Sequence, residues 1–246
     1  RGIRKELLEN KTFFRHIKNY VRRHSNEIEN NIVEGIISQQ ELNSDTLFNK
    51  EFMQDNKKHM KGFKRTGNPP LSTHELGDEN NDSILNGFRQ NGLLNRPEDK
   101  VKVILYPVYL NGVDGLIDLA YYDCLVGCHL GIFPSYYEPW GYTPLESAPL
   151  GVPAITTDLA GYGRFIKKDE RTNKKGIFVL DRFGKKWEDI LKNFTDMLYD
   201  YSEQDRHHRV ENKVEAKEMA ELADWKELIC NYVEAHNQAI KKKGLK

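Results

Sequence analysis

Two carboxylates set eight positions apart, Glu138 and Glu146, flank the turn Trp140-Gly-Tyr-Thr-Pro144 and are the residues best placed for chemistry. Apolar Leu130, Ile132 and Phe133 precede them and read as a short strand. Thr143 reads as a helix N-cap, with Pro144 at the first helical position. A strand end, a glycine turn and a fresh helix start together suit an anionic ligand, because the first helical amides are unpaired and the peptide dipoles present positive charge. Gly141, Tyr142 and Thr143 would present those N–H groups, and Gly141 permits close approach because it has no side chain. Glu138, lying between aromatics and Pro139, could accept hydrogen bonds from sugar hydroxyls or stabilise positive charge at a sugar carbon. An ordinary solvated carboxylate is the plain alternative.

Glu146 has a structural competitor. Thr143-Pro-Leu-Glu146 matches a capping box, in which the glutamate returns to the N-cap amide and needs no ligand. Trp140 either walls a sugar pocket or fills core. His129, directly before the strand, reads as a structural histidine, with hydrogen bonding to sugar or phosphates as the alternative. Gly161-Tyr-Gly163 reads as a tight turn near the same cleft.

The elements that must hold these residues are predicted from periodicity. Val101–Tyr106, Leu130–Pro134, Pro153–Thr157 and Gly176–Leu180 are short apolar or β-branched runs, their starts 29, 23 and 23 residues apart. Helical patterns lie between them, which predicts an α/β fold with a parallel, Rossmann-like sheet and flanking helices. In such sheets ligands bind beyond the carboxyl ends of the strands, where the Glu138 loop falls. Leu7, Phe13, Phe14, Ile17, Tyr20 and Val21, then Ile28, Ile32, Val33, Ile36 and Ile37, recur at mostly helical spacing. They predict a long helical excursion over 1–67, a pair of amphipathic helices, set off by a Gly/Pro linker from the lobe at 68–246. Their apolar stripes need a partner, either the lobe or another subunit. From Trp187 to Lys242 the pattern is helical again.

Composition narrows the function classes. Lys+Arg and Asp+Glu are 37 each, so net charge gives no reason to expect nucleic acid or an anionic membrane. No apolar run reaches membrane-spanning length. Cys124, Cys128 and Cys230 lack partners at zinc spacing and read as free thiols, the first two buried, in a reducing, cytoplasmic compartment. The chain opens on Arg1 without Met and reads as a fragment.

The run Cys128-His-Leu-Gly-Ile-Phe-Pro-Ser-Tyr-Tyr-Glu-Pro-Trp-Gly-Tyr-Thr-Pro144 resembles the donor-site loop of animal and fungal glycogen synthases, retaining glycosyltransferases of the GT-B architecture. Gly151-Val-Pro-Ala-Ile-Thr-Thr157, Leu159-Ala-Gly-Tyr-Gly163, Asp181-Arg182, Pro69–His74 and Asn81–Asn86 extend the resemblance over roughly residues 68–230. It implies the C-terminal, nucleotide-sugar half of a GT-B fold. Implied ligands are UDP-glucose and a glucan acceptor, with no cofactor and no metal. Glu138 and Trp140 would border the glucose, Gly141–Thr143 the diphosphate, Glu146 the ribose, and Tyr122 would stack on the base. The N-terminal lobe and the cations that hold the diphosphate would lie outside this sequence, so the fragment alone is expected to be inactive. Family members activated by glucose-6-phosphate carry a dense arginine cluster before the helix of Trp225. This chain has a thinner set: Arg206, His207, His208, Arg209, Lys213 and Lys217. Another retaining GT-B glycosyltransferase, or a non-catalytic assembly module built on the charged helices, are the alternatives.

Overall fold

Phe13, Tyr20 and His24, spaced seven and four apart, form the inner face of α1 (Lys5–Ile37), which pairs with α3 (Lys50–Gly62) through the single turn α2 (Ser44–Leu47). The shared interior is aromatic. Tyr20 stacks on Phe52 at 5.3 Å and Phe48 on Phe52 at 5.0 Å, while His59 packs against Phe13 and Tyr20 at 5.9 and 5.0 Å. Aromatic faces here supply the buried area that the polar composition of both helices otherwise lacks. The computed structural model describes residues 2–62, 67–168 and 176–244. They fall into two compact units, Arg1–Asp118 and Leu119–Lys246; the composition shift near residue 67 lies within the first.

In that first unit the strand predicted at Val101–Tyr106 does not form a ladder. Leu105 makes one isolated bridge to Ser72, and its amide bonds the Leu71 carbonyl at 2.7 Å. The reason is Asn95, which is buried and holds a left-handed φ of 58°. Its side chain accepts from the Val103 amide at 2.8 Å and donates to the Val103 carbonyl at 2.9 Å. A side-chain amide thereby takes the place of a neighbouring strand. Helix α4 (Ser83–Gln90) starts on Asp82, whose carboxylate accepts from the amides of Ile84 and Leu85. Beyond it, Asp114 organises the loop ahead of Asp118. Burial works against its charge, but hydrogen bonds from the Tyr106 hydroxyl and the amides of Leu116, Ile117 and Asp118 outweigh this and hold the carboxyl at about 2. Burial, then the same bond to Asp114, pushes the Tyr106 hydroxyl up to about 12.

The second unit is α/β, as the alternation predicts. Strands β1 (Gly131–Ile132), β2 (Ala154–Thr157) and β3 (Ile177–Leu180) form a parallel sheet in that order, with Gly131 opposite Ala154 and Ala154 opposite Ile177. Central β2 is buried along its whole length, and so carries no polar alternation. Flanking helices are α5 (Tyr121–Val126), α6 (Tyr142–Ser147), α7 (Gly161–Lys168), α8 (Trp187–Glu203), α9 (Arg206–Glu221) and α10 (Trp225–Lys243). The core joins Ala148, Ala154, Tyr162, Ile166 and Ile177 to Ala216 and Met219 of α9. Strand β1 is shorter than Leu130–Pro134, although its hydrogen bonding continues through Phe133 to Ile155. Cys128 and Cys230 are exposed and Cys124 half-buried, which corrects the expectation of two buried thiols at Cys124 and Cys128. The turn after α5 leaves Cys128 at the surface, where its thiol donates to the Cys124 carbonyl at 3.6 Å.

Candidate functional site

The loop that carries Glu138 leaves the carboxyl end of β1 and is held by its backbone. The Glu138 amide donates to Leu159 at 3.4 Å, its carbonyl accepts from Gly161 at 3.1 Å, and Trp140 accepts from Tyr162 at 2.6 Å. The two segments come close because Gly161 and Gly163 lack side chains. A Cβ at Gly161 would stand 2.1 Å from the Pro139 carbonyl oxygen, and one at Gly163 2.1 Å from that of Thr157. The Gly161-Tyr-Gly163 motif is therefore not a turn beside the cleft but the first turn of α7, with Tyr162 buried in the core. Burial pushes the Tyr162 hydroxyl strongly up, and no described group bonds it. Glu138 itself is half-buried.

Helix α6 begins earlier than Thr143. Gly141, in a left-handed conformation with φ of 104°, is its N-cap, and no side chain caps the helix. Thr143 thus stands at the second helical position and Pro144 at the third, so the predicted capping box does not form. Positive φ at Gly141 lets the chain reverse sharply out of the Glu138 loop, and Pro144 forfeits only an amide that no intrahelical carbonyl could take. Tyr142 and Thr143 are exposed at this helix start.

Glu146 turns instead toward α5. Its Oε1 accepts from the Tyr122 hydroxyl at 3.2 Å. The charge of Glu146, and then the bond to it, pushes that hydroxyl upward. Tyr121 meets Tyr122 edge-to-face at 5.2 Å, and its own buried hydroxyl lacks a partner among the described residues. The fold therefore joins Tyr122 to Glu146 across 24 positions of sequence, and Glu138 to Gly141, whose added Cβ would lie 3.4 Å from Glu138 Cγ. Trp140 packs on Tyr162 at 5.8 Å and Phe165 at 5.6 Å. With Tyr142, Leu145, Trp225 and Tyr232 it also lines a groove of about 640 Å³. His129 is not brought to this set. Its carbonyl accepts from the Tyr201 hydroxyl at 2.6 Å, and it lines a different groove with Cys128, Ser202 and Arg209.

Periodicity does not reveal the groups that stiffen the loop. Asp158 accepts from the amides of Arg182 and Phe183 at 2.8 and 3.1 Å, and Arg182 reaches the carbonyls of Pro134 and Ser135. Signals were present in the charged residues that follow β2 and β3, and in the resemblance that includes Asp181-Arg182. Among the described residues no cluster of His, Cys, Asp or Glu could hold a metal ion, and no helix is long and apolar enough to cross a membrane.

A three-stranded parallel sheet with flanking helices, a carboxylate-bearing loop and a helix start at its carboxyl end define an α/β unit. The sequence profile of the glycogen synthase family matches residues 2–244, and the chain belongs to that family. It is similar to glycogen [starch] synthase isoform 2 of Saccharomyces cerevisiae, 38% identical over 71% of this chain and 25% of that protein. The glycogen [starch] synthase of Caenorhabditis elegans is 39% identical over 71% of this chain and 26% of its own length. The liver glycogen [starch] synthase of Mus musculus is 39% identical over 65% and 23%. The chain thus spans about a quarter of the length of these relatives. By name they are glycogen synthases.

Proposed function

We propose that the second unit is the donor-binding lobe of a GT-B glycogen synthase. The reaction moves glucose from UDP-glucose to the 4-hydroxyl of an α-1,4-glucan, with retention of configuration. Family membership supports the reaction class, and one arrangement carries the site: Tyr122 and Glu146 side by side, next to a helix start that no side chain caps. Tyr122 stacks on the uracil. Glu146 exchanges the Tyr122 hydroxyl for the ribose hydroxyls, and the Gly141–Thr143 amides take the diphosphate. Glu138 and Trp140 border the glucose. Glu138 orients its hydroxyls and stabilises positive charge as the bond to the diphosphate breaks. The acceptor, the remaining phosphate-binding cations and a cytoplasmic location belong to the same reading.

A partner proposal rests on the first unit. Phe14, Val21, Ile32 and Ile36 lie along the outer side of α1, from 36% to 63% exposed. Positions 5–23 hold Lys5, Lys11, Arg15, Lys18, Arg22 and Arg23 against Glu6 and Glu9, whereas positions 24–37 hold only the charges of Glu27, Glu29 and Glu34. Two copies of α1 set antiparallel place the basic half on the acidic half and cover the apolar strip, giving a homo-oligomer.

The donor-site test is thermal stabilisation of the chain by UDP, UDP-glucose, ADP and ADP-glucose. Stabilisation by the uridine pair beyond the adenosine pair is expected. Equal shifts, or none, would remove the UDP-glucose assignment.

A further inference from the structure

Arg182 is a buried cation that the site as described does not use. It follows β3 with 8% of its surface exposed. Nη1 donates to the carbonyls of Pro134 at 2.9 Å and Ser135 at 3.1 Å, and the guanidinium carbon lies 3.9 Å from the centre of the Tyr136 ring. Its buried Nε finds no partner among the described residues. Burying a guanidinium carries a desolvation cost that carbonyl dipoles and one aromatic face offset only in part. An apolar side chain of similar volume would fill this space without that cost. Stability therefore does not account for arginine here. What arginine supplies, and lysine does not, is a planar guanidinium that lies on the Tyr136 ring while its Nη1 bonds both carbonyls.

The three residues that it touches, Pro134, Ser135 and Tyr136, lead directly into Tyr137 and Glu138. Thr157 ties the same strip, its hydroxyl donating to the Ser135 carbonyl at 3.0 Å. On the far side, Leu159, Gly161 and Tyr162 hold the backbone of 138–140. The loop is thus pinned before and after Glu138, and Arg182 is the side chain that spans three consecutive residues of it. We propose that Arg182 is a positioning residue: by fixing 134–136 it aims Glu138, and so sets affinity for the sugar half of the donor rather than for its nucleotide. This rests on the donor-site reading above.

The test uses Arg182→Lys, which keeps charge but not the planar guanidinium, and Arg182→Met, which keeps volume but not charge. Tyr136→Leu is added because Tyr136 is 75% exposed and its loss cannot unfold the core. Amide hydrogen exchange is followed over 134–140 and over β2, and affinities for UDP and UDP-glucose are measured by calorimetry. Arg182→Met should speed exchange at 135–138 while β2 stays protected. It should lower the ratio of UDP-glucose to UDP affinity about tenfold, since small misplacements of an orienting group are costly, with UDP affinity nearly unchanged. Arg182→Lys and Tyr136→Leu should move the ratio the same way by less. If both affinities fall together with thermal stability, Arg182 is merely structural and the inference is overturned. An unchanged ratio in Arg182→Lys and Tyr136→Leu overturns it even where Arg182→Met does not fold. A wild-type chain that binds neither nucleotide removes the donor-site reading and this inference with it. Failure of the ratio test in a chain that does bind them removes the inference alone.

Discussion

Replacing Glu146 with alanine separates the two uses open to that carboxylate. In the structure its Oε1 accepts from the Tyr122 hydroxyl at 3.2 Å, and no side chain caps α6. A capping role would be worth about 1 kcal/mol, or about 2–4 °C of melting temperature for a chain of this size. With that role unfilled, Glu146→Ala should melt within about 1–2 °C of wild type, as surface changes usually do. Ribose binding predicts a larger effect elsewhere. A hydrogen bond to a charged acceptor contributes roughly 1.5–3 kcal/mol, so UDP affinity should fall on the order of tenfold to a hundredfold. Uracil lacks the ribose and should bind both forms alike. Calorimetric titration with UDP and uracil, beside a melting curve, makes the comparison, and Tyr122→Phe serves as the control that frees Glu146 without removing it. A Glu146→Ala chain that melts several degrees lower yet binds UDP as before would refute the reasoning and return Glu146 to a structural role.

Three further outcomes are expected. Tyr106, whose hydroxyl is raised to about 12 against an ordinary 10.0, contributes stability that is complete below pH 10 and lost between about 10 and 12. Asp114, held at about 2 against 3.8, contributes stability that is complete above about pH 4 and lost as pH falls toward 2. Chemical denaturation across pH should show both slopes flattened in Tyr106→Phe, and unchanged slopes would mean that the pair does not couple to folding. Gly161→Ala sets a Cβ 2.1 Å from the Pro139 oxygen and should destabilise by about 1–3 kcal/mol, read from the urea midpoint. Phe14→Glu combined with Val21→Glu should reduce the particle size seen by light scattering without lowering helicity; an unchanged size would mean that the outer face of α1 is not an interface.

Local chemistry made much of the α/β unit legible. Strict turn residues and β-branched runs mark β1, β2 and β3 because each strand is short and bounded by Gly or Pro, and the parallel sheet follows from helices between strands. Val101–Tyr106 has the same composition and failed, since the side chain of Asn95 satisfied Val103 and no pattern in sequence announces such a competitor. The start of α6 was misplaced for a related reason. Thr143 and Pro144 are good N-terminal residues in isolation, but the positive φ of Gly141 starts the helix two positions sooner.

Residue types along the chain thus determined which groups are available for chemistry: two carboxylates, a helix start and aromatic platforms beyond a strand. Tertiary structure decided which of them meet. Glu146 turned to Tyr122 rather than to its own helix, because the fold brings the Tyr122 hydroxyl of α5 within hydrogen-bond reach of it. His129 fell to another groove, since its carbonyl is committed to Tyr201. Gly161 and Gly163 proved to be contact points, because what a missing side chain permits depends on which backbone arrives there. Periodicity reports the environment of each residue one element at a time, whereas Glu138, Arg182 and their partners lie at three separate strand ends that only the assembled sheet brings together.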